Sequence, residues 1–486
     1  MSRKKALHAG LWSSADLTVR LGIHFIVSIL LARILTPTDF GIFALVMFFI
    51  AISQILVDRG FATVIVQRSV KSQEEKTAIF WYTILLSVLI ALTMFLIAPW
   101  FANFFGHPVL QPLLYLSAMI VPLNALASVP TALLQRELRF DVIAKSGLAA
   151  SILSGSAAVI AAFLGAGVWS FAIQAALYSV LNSALIWGMG RWSPLRHMHL
   201  AQGRKLVGFG SFVTMAGLLD VLYIHGSSLL IGRLHGVADL GFYNRAQNLQ
   251  NLPGGILAAI VNRVALPLFA KMEDPLALQA HMRIVQGAIM LINLPLMAAL
   301  IVLPDLLIEV LYGPKWLFAA PILAILAFGG ILFPLQMVNM QVVLSQGRSG
   351  VMLKVEVAKK VIGLASLAIG SLYGLTGLAI GQAISVYVGF FINAVVAGRV
   401  TGYGLVRQVR DLAGVVLITA IMAVVLLFVR PMLLFGSFAD LSLLTLIGSG
   451  VFILSAVIFR VGVVNQLLVM TPFGRFFLYI PTLGNQ

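Results

Sequence analysis

Long, nearly uncharged apolar runs dominate this chain and are separated by short polar stretches. The uncharged runs cover residues 77–103, 146–190, 284–304, 316–347 and 361–398. Each can form an α-helix that crosses the ~30 Å hydrocarbon layer of a bilayer. Two of the runs, 146–190 and 361–398, are long enough for two helices each, divided at Gly165 and Gly374. The pattern predicts an all-α polytopic membrane protein.

Apolar length and turn residues together predict about fourteen transmembrane helices. We expect them over residues 11–35, 40–59, 78–99, 110–132, 146–164, 168–189, 205–232, 238–269, 284–303, 317–337, 352–372, 375–397, 412–430 and 441–460. The loops between them are short, so the sequence leaves no room for a soluble catalytic domain.

Segments 28–43 and 228–243 are near copies, 200 positions apart. They share an Arg, an Asp and a Gly at matching positions: Arg33 and Arg233, Asp39 and Asp239, Gly41 and Gly241. Six predicted helices separate the copies, so both have the same orientation in the membrane. Such internal repeats are typical of two-lobed transporters. We therefore predict two parallel six-helix lobes, residues 1–200 and 201–404, followed by two further helices and a tail in 405–486.

Composition supports a membrane protein and orients it. The chain is 60% hydrophobic and 10% charged, with a mean hydropathy of +1.03 and a net charge of +16. Most of the 32 Lys and Arg residues fall on one side of the predicted topology, as the positive-inside rule requires. This places both termini in the cytoplasm and gives no reason to expect a nucleic-acid partner. Cysteine is absent, which excludes disulfides and thiolate metal sites.

Charged and amide side chains inside predicted spans are the candidates for function, because burying them in a bilayer is costly. Asp16, Arg20 and His24 are spaced four residues apart and share one face of the first helix. The seventh and eighth helices carry further candidates: Asp220, His225, Arg245, Asn248, Asn251 and Arg263. We expect these faces to line a polar cleft between the lobes.

Roles within this cleft follow from chemistry. Arginine pairs bidentately with phosphate oxygens, so we predict that an anionic substrate contacts Arg20, Arg245, Arg263, Asn248 and Asn251. Carboxylates and imidazoles can carry coupling protons or orient the arginines, which we predict for Asp16, His24, Asp220 and His225.

Structural interpretations of the same residues remain open. Asp16 and Arg20 can neutralise each other as an i,i+4 pair, and the two histidines can be packing residues. Pro253, followed by two glycines, is either an ordinary kink or a gating hinge. Arg33 and Asp39 suit helix ends and caps. The sequence contains no P-loop, His-Glu-x-x-His or Gly-x-Ser-x-Gly motif, so we predict no enzymatic activity, cofactor or metal.

Several segments, taken in order, resemble the Wzx-type oligosaccharide flippases. These form the polysaccharide transporter branch of the multidrug/oligosaccharidyl-lipid/polysaccharide exporter superfamily. The matching stretches are 31–41, 57–60, 66–68, 133–140, Asp220, 231–233, 240–246, 252–253, 265–267 and 312–316. The resemblance implies a MATE-like fold in the bacterial inner membrane. It also implies a flippase that moves undecaprenyl-pyrophosphate-linked oligosaccharide units for O-antigen, capsule or exopolysaccharide synthesis. A polysaccharide polymerase and export machinery are further expected partners.

Four alternatives remain. A flippase for the peptidoglycan lipid precursor would share a basic cleft. A cation-coupled multidrug exporter of the same fold would need a more acidic one. A membrane-bound glycan polymerase or ligase needs a large outer loop, whereas the longest candidate, around residues 304–316, is short. An assembly scaffold would have no use for a buried polar cleft.

Overall fold

The computed structural model describes residues 3–57, 72–190, 192–195, 217–218, 221–272, 274–433 and 435–459, without the side chains of 3–18, 263–264 and 349. The first helices are α1 Arg3–Ile34, α2 Pro37–Gln54, α3 Gln73–Phe105, α4 Leu110–Arg136, α5 Phe140–Phe163, α6 Trp169–Gly190, α7 Val221–Leu234 and α8 Val237–Phe269. The later ones are α9 Pro275–Val302, α10 Pro304–Tyr312, α11 Ala320–Gly330, α12 Phe333–Ser345, α13 Ser349–Ser371, α14 Gly374–Thr401, α15 Leu405–Val429 and α16 Ser437–Ile458.

The all-α polytopic prediction is confirmed. Within the described residues, 11 helical segments are long and apolar enough to cross a membrane, and no strand occurs there. The count of about fourteen stays a prediction. Three of the predicted helices are not among those 11. Two of the three correspond to α7, which is shorter, and to α13, whose first half carries four charged residues: Lys354, Glu356, Lys359 and Lys360.

Two local predictions differ from the structure. The helix expected at 317–337 is interrupted at residues 331–332, before Pro334 in the first turn of α12, so that α11 and α12 together make up one of the 11 candidate spans. Residues 304–316, predicted as a loop, contain α10, because Pro304 starts a helix well and Ile308 and Tyr312 bury one face. The helix predicted at 238–269 is present as α8, which runs through Pro253 to Phe269, and the choice between kink and hinge at Pro253 stays a prediction.

Local sequence explains how the first repeat copy starts its helix. Asp39 and Thr36 form a reciprocal capping box: Thr36 N donates to Asp39 Oδ2 (2.9 Å), and Asp39 N donates to Thr36 Oγ1 (3.3 Å). Pro37 occupies the first helical turn, where its missing N–H costs nothing. The interpretation of Asp39 as a cap is therefore confirmed.

The chain divides into two compact units, Met1–Gly241 and Phe242–Gln486. In the first, the starts of α2 and α8 cross with no room for a side chain. A Cβ on Gly41 would lie 1.6 Å from the carbonyl oxygen of Val237, and one on Gly241 would lie 2.0 Å from that of Pro37. The contact is reciprocal between the two repeat copies: residue 37 of the first copy meets residue 241 of the second, and residue 41 of the first meets residue 237 of the second. We call it the glycine crossing.

In the second unit, α15 is held against α9 and α10 along its length. At one end, Arg430 pairs with Asp305 and its Nη1 donates to the carbonyl oxygen of Val302 (3.2 Å). At the other end, Arg283 Nε lies 2.9 Å from Asp411 Oδ2. Asp305 at the start of α10 is thus paired with a residue at the end of α15. These links tie both ends of α15 into the second unit.

Candidate functional site

Arg20 lies on α1 where that helix meets Gly147 of α5. A Cβ on Gly147 would be 2.8 Å from Nη1 and 3.3 Å from Cδ of Arg20. Two turns along α5, a Cβ on Gly155 would be 2.7 Å from Cγ2 of Val27. Glycines therefore let α1 approach α5 closely, and the recess over Gly147 holds the Arg20 side chain.

His24 lies one turn after Arg20 on the continuous helix α1, and its side chain is exposed. Its ring centroid is 6.4 Å from that of Tyr178 on α6, with the planes at 57°. Arg20 and His24 therefore share one side of α1, as their spacing requires. Three other candidates lie outside the described residues: the side chains of Asp16 and Arg263, and Asp220 as a whole.

A mostly apolar pocket with a few polar side chains opens between α2 and α4. It holds about 290 Å³ of empty space, counting its mouth, and its polar lining consists of Ser53, Gln54, Ser117 and Asn124. Asn124 Oδ1 accepts a hydrogen bond from Ser179 Oγ of α6 (2.6 Å). The sequence pattern does not distinguish these residues, because they are uncharged and lie in apolar runs. The only available signal was the presence of amides, Gln54 and Asn124, inside predicted spans.

Helix α8 carries exposed amides on one face. Asn248 and Asn251 have exposed side chains, and Asn262 continues the same face three to four turns later. Asn262 Oδ1 accepts a hydrogen bond from Gln341 Nε2 of α12 (2.6 Å). We call these three residues the amide face of α8. A carboxamide facing lipid loses hydrogen bonds that water would provide, so this face requires water or a polar substrate.

Arg245 lies one turn before Asn248 on α8 and is buried, with 8% of its surface exposed. Its Cζ is 5.9 Å from the ring centroid of Tyr312 on α10. Burial raises the pKa of Tyr312, so the phenol stays neutral and the contact is of the cation–π type. The structure therefore buries Arg245 against Tyr312 of α10, whereas Asn248 and Asn251 are exposed. His225 is half-buried on α7.

Three buried carboxamides join α9, α12 and α15. Gln408 and Asn339 exchange hydrogen bonds of 3.0 and 3.2 Å, and Gln286 Nε2 donates to both (3.2 Å each). All three side chains are essentially inaccessible. We call this group the carboxamide triad. Its position in the interior of the second unit makes it a structural element, not a binding surface.

The triad extends toward the end of α14 through Tyr403. Gln408 Nε2 donates to the carbonyl oxygen of Tyr403 (2.9 Å), whose hydroxyl donates to Asp411 Oδ2 (2.9 Å). Burial and the bond to Asp411 raise the pKa of Tyr403, so the phenol remains a donor at neutral pH. Asp411 thus accepts from both Tyr403 and Arg283.

A second pocket lies among α12, α13 and α14. Its polar lining consists of Asn339, Asn393 and Glu356, and Glu356 forms an ion pair with Lys359 of the same helix. Within the described part of the chain, no cluster of three or more His, Asp or Glu side chains could hold a metal ion.

Comparison with known proteins assigns the chain to a family. The model for polysaccharide biosynthesis proteins matches residues 30–321. The chain belongs to the polysaccharide biosynthesis protein family. Members of this family are transport proteins and not enzymes, and this chain is a multi-pass membrane protein among them.

Curated relatives cover most of the chain. It is 27% identical to the lipopolysaccharide biosynthesis protein WzxC of Escherichia coli, over 80% of this chain and 81% of that protein. It is also 27% identical to the teichuronic acid biosynthesis protein TuaB of Bacillus subtilis, over 71% and 72%. The succinoglycan biosynthesis transport protein ExoT of Rhizobium meliloti is 26% identical, over 66% of each chain.

Solved structures show the same fold. The lipid II flippase MurJ in an inward closed conformation superposes with a TM-score of 0.77 at 15% identity, covering 92% of this chain and 98% of MurJ. A MATE transporter, crystallised as a point mutant, superposes with a TM-score of 0.51 at 17% identity, covering 82% and 96%. The MATE-like fold is thereby confirmed.

Proposed function

We propose that this protein is a flippase for undecaprenyl-pyrophosphate-linked oligosaccharide units. It would act in the bacterial inner membrane with both termini in the cytoplasm and supply O-antigen, capsule or exopolysaccharide assembly. Support comes from relatives named for the biosynthesis of three different polysaccharides. A polysaccharide polymerase and export machinery would take over the product.

The observation that carries this proposal is the amide face of α8. Asn248 and Asn251 lie exposed on a helix that is long and apolar enough to span the bilayer. Carboxamides donate and accept hydrogen bonds at once, which suits the hydroxyl groups of an uncharged glycan. A cationic drug would instead require carboxylates. We assign glycan contact to Asn248 and Asn251.

Pyrophosphate contact is assigned to Arg20, whose guanidinium can bind phosphate oxygens in bidentate fashion. Arg263 remains a second candidate. We assign Arg245 to the support of α8, because in this conformation its guanidinium is buried over Tyr312. Coupling to a proton or sodium gradient is proposed to involve Asp16, His24, Asp220 and His225, by titration or by orienting the arginines.

Alternating access would move the glycan and pyrophosphate through the protein while the lipid tail stays in the bilayer. We propose that the glycine crossing closes the outer side, because residues 37–41 and 237–241 lie at the predicted outer ends of their helices. Opening that side would then require the starts of α2 and α8 to separate.

Leaflet sidedness of the lipid-linked glycan in proteoliposomes tests the proposal. A membrane-impermeant glycosidase added outside should release glycan at a protein-dependent rate, with and without an imposed proton or sodium gradient. Protein-free liposomes and an Asn248→Ala/Asn251→Ala variant serve as controls. A folded protein that moves the peptidoglycan lipid precursor but no pyrophosphate-linked oligosaccharide would replace this proposal with the precursor-flippase alternative.

A further inference from the structure

We propose that Gly147 is a positioning residue for substrate recognition: its missing side chain creates the recess that sets the orientation of the Arg20 guanidinium. The inference rests on the proposed role of Arg20 in pyrophosphate contact. The proposal makes α5 part of the recognition site together with α1, although residue 147 of α5 carries no charge.

The geometry at Gly147 is specific to the head of the Arg20 side chain. The three atoms nearest to a Cβ at this position all belong to Arg20: Nη1 at 2.8 Å, Cδ at 3.3 Å and Cζ at 3.4 Å. No backbone atom of another described helix lies closer than these side-chain atoms. An alanine at 147 would therefore push a flexible guanidinium aside while leaving the backbones of α1 and α5 in place.

Gly155 offers a matched control on the same pair of helices. A Cβ there would be 2.7 Å from Val27, as close as the Gly147 contact, but the neighbour is an apolar side chain. Alanine also has the higher helix propensity at both sites, so neither variant weakens α5 itself. The two substitutions differ mainly in whether they displace a charge.

The effect expected on recognition is large because bidentate contact depends on orientation. Losing one charge-assisted hydrogen bond typically costs about tenfold or more in affinity. We expect Gly147→Ala to raise the KM for the pyrophosphate-linked substrate about tenfold. Gly155→Ala should leave KM near the parent value, even where it alters thermal stability.

The test measures glycan flipping in proteoliposomes and its inhibition by inorganic pyrophosphate. The variants are Arg20→Ala, Arg20→Lys, Gly147→Ala, Gly155→Ala and the Arg20→Lys/Gly147→Ala double variant. Lysine lacks the branched head that fills the recess, so Gly147→Ala should have no further effect once lysine is present. If Gly147 had a purely structural role, Gly147→Ala would instead change flipping by the same factor with arginine and with lysine at position 20.

The outcomes separate the two hypotheses. Weaker pyrophosphate inhibition in Gly147→Ala, with Gly155→Ala unaffected and Arg20→Ala either inactive or insensitive to pyrophosphate, supports the positioning role. If Arg20→Ala flips normally and keeps its pyrophosphate inhibition, the assignment of Arg20 fails and the role of Gly147 fails with it. If Arg20→Ala is inactive but Gly147→Ala behaves like Gly155→Ala, only the positioning inference is overturned.

Discussion

Adding one methyl group at the glycine crossing should favour opening of the predicted outer side. A Cβ on Gly41 would lie 1.6 Å from the carbonyl oxygen of Val237 and 2.6 Å from its carbon. An ordinary carbon–oxygen contact is about 3.3–3.6 Å, so the two helix starts would have to part by roughly 1.5–2 Å. No side-chain rotation relieves the clash, because the obstacle is backbone.

The energetic cost of Gly41→Ala sets the size of the effect. Overpacking a close contact costs about 1–3 kcal/mol, and this cost applies only while the crossing is closed. At 1.4 kcal/mol per factor of ten, the ratio of closed to open protein should fall roughly 5- to 150-fold. Gly241→Ala should act alike, since its Cβ would lie 2.0 Å from the carbonyl oxygen of Pro37.

The chain contains no cysteine, so a single introduced cysteine gives an unambiguous signal. We expect Gly41→Ala to accelerate labelling of an Asn248→Cys reporter by a membrane-impermeant maleimide supplied from the outer side. Gly188→Ala is the control, because a Cβ on this helical glycine meets nothing within 4 Å. Equal labelling rates in folded Gly41→Ala and Gly188→Ala would refute the assignment of the crossing as an outer closure.

Three further predictions concern single side chains. Arg245→Lys should lower the melting temperature, because lysine has no planar group to place over the Tyr312 ring. The lost contact costs about 0.5–2 kcal/mol. Unchanged stability with a raised KM would instead indicate that Arg245 contacts the substrate directly. Asn248→Ala and Asn251→Ala should slow flipping without changing the melting temperature, since both side chains are exposed; a stability loss without a transport defect would contradict the glycan role. Gln408→Leu should destabilise the protein by about 1–3 kcal/mol, because it leaves the buried amides of Gln286 and Asn339 without a partner. Thermal unfolding in detergent measures this loss. An unchanged melting temperature would show that the carboxamide triad contributes little to stability.

The sequence predicted the features that depend on apolar length and on the repeat. Runs free of charge fixed the all-helical membrane architecture, because only helices satisfy the backbone over that length in lipid. The repeat marked residues 41 and 241 as equivalent, and the structure places each against the other copy. Asp39 was correctly interpreted as a cap because its position relative to Thr36 is a local property.

Features set by tertiary packing were not predictable in the same way. Arg245 and Asn248 are only three residues apart on α8. Arg245 is buried over Tyr312 and Asn248 is exposed because of how the surrounding helices pack, and their spacing in the sequence does not determine this. The recess at Gly147 depends on the register between α1 and α5. The carboxamide triad joins three helices separated by long stretches of chain, which no local pattern in the sequence encodes.

The carboxamide triad also bears on the order in which the protein can be assembled during synthesis. Its first two members, Gln286 and Asn339, enter the membrane well before Gln408, which lies near the start of α15. Until α15 is inserted, two amides in apolar surroundings lack their third partner. The second unit is therefore complete only when nearly the whole chain has left the ribosome, and a nascent chain ending near residue 404 would expose these amides to membrane quality-control proteases.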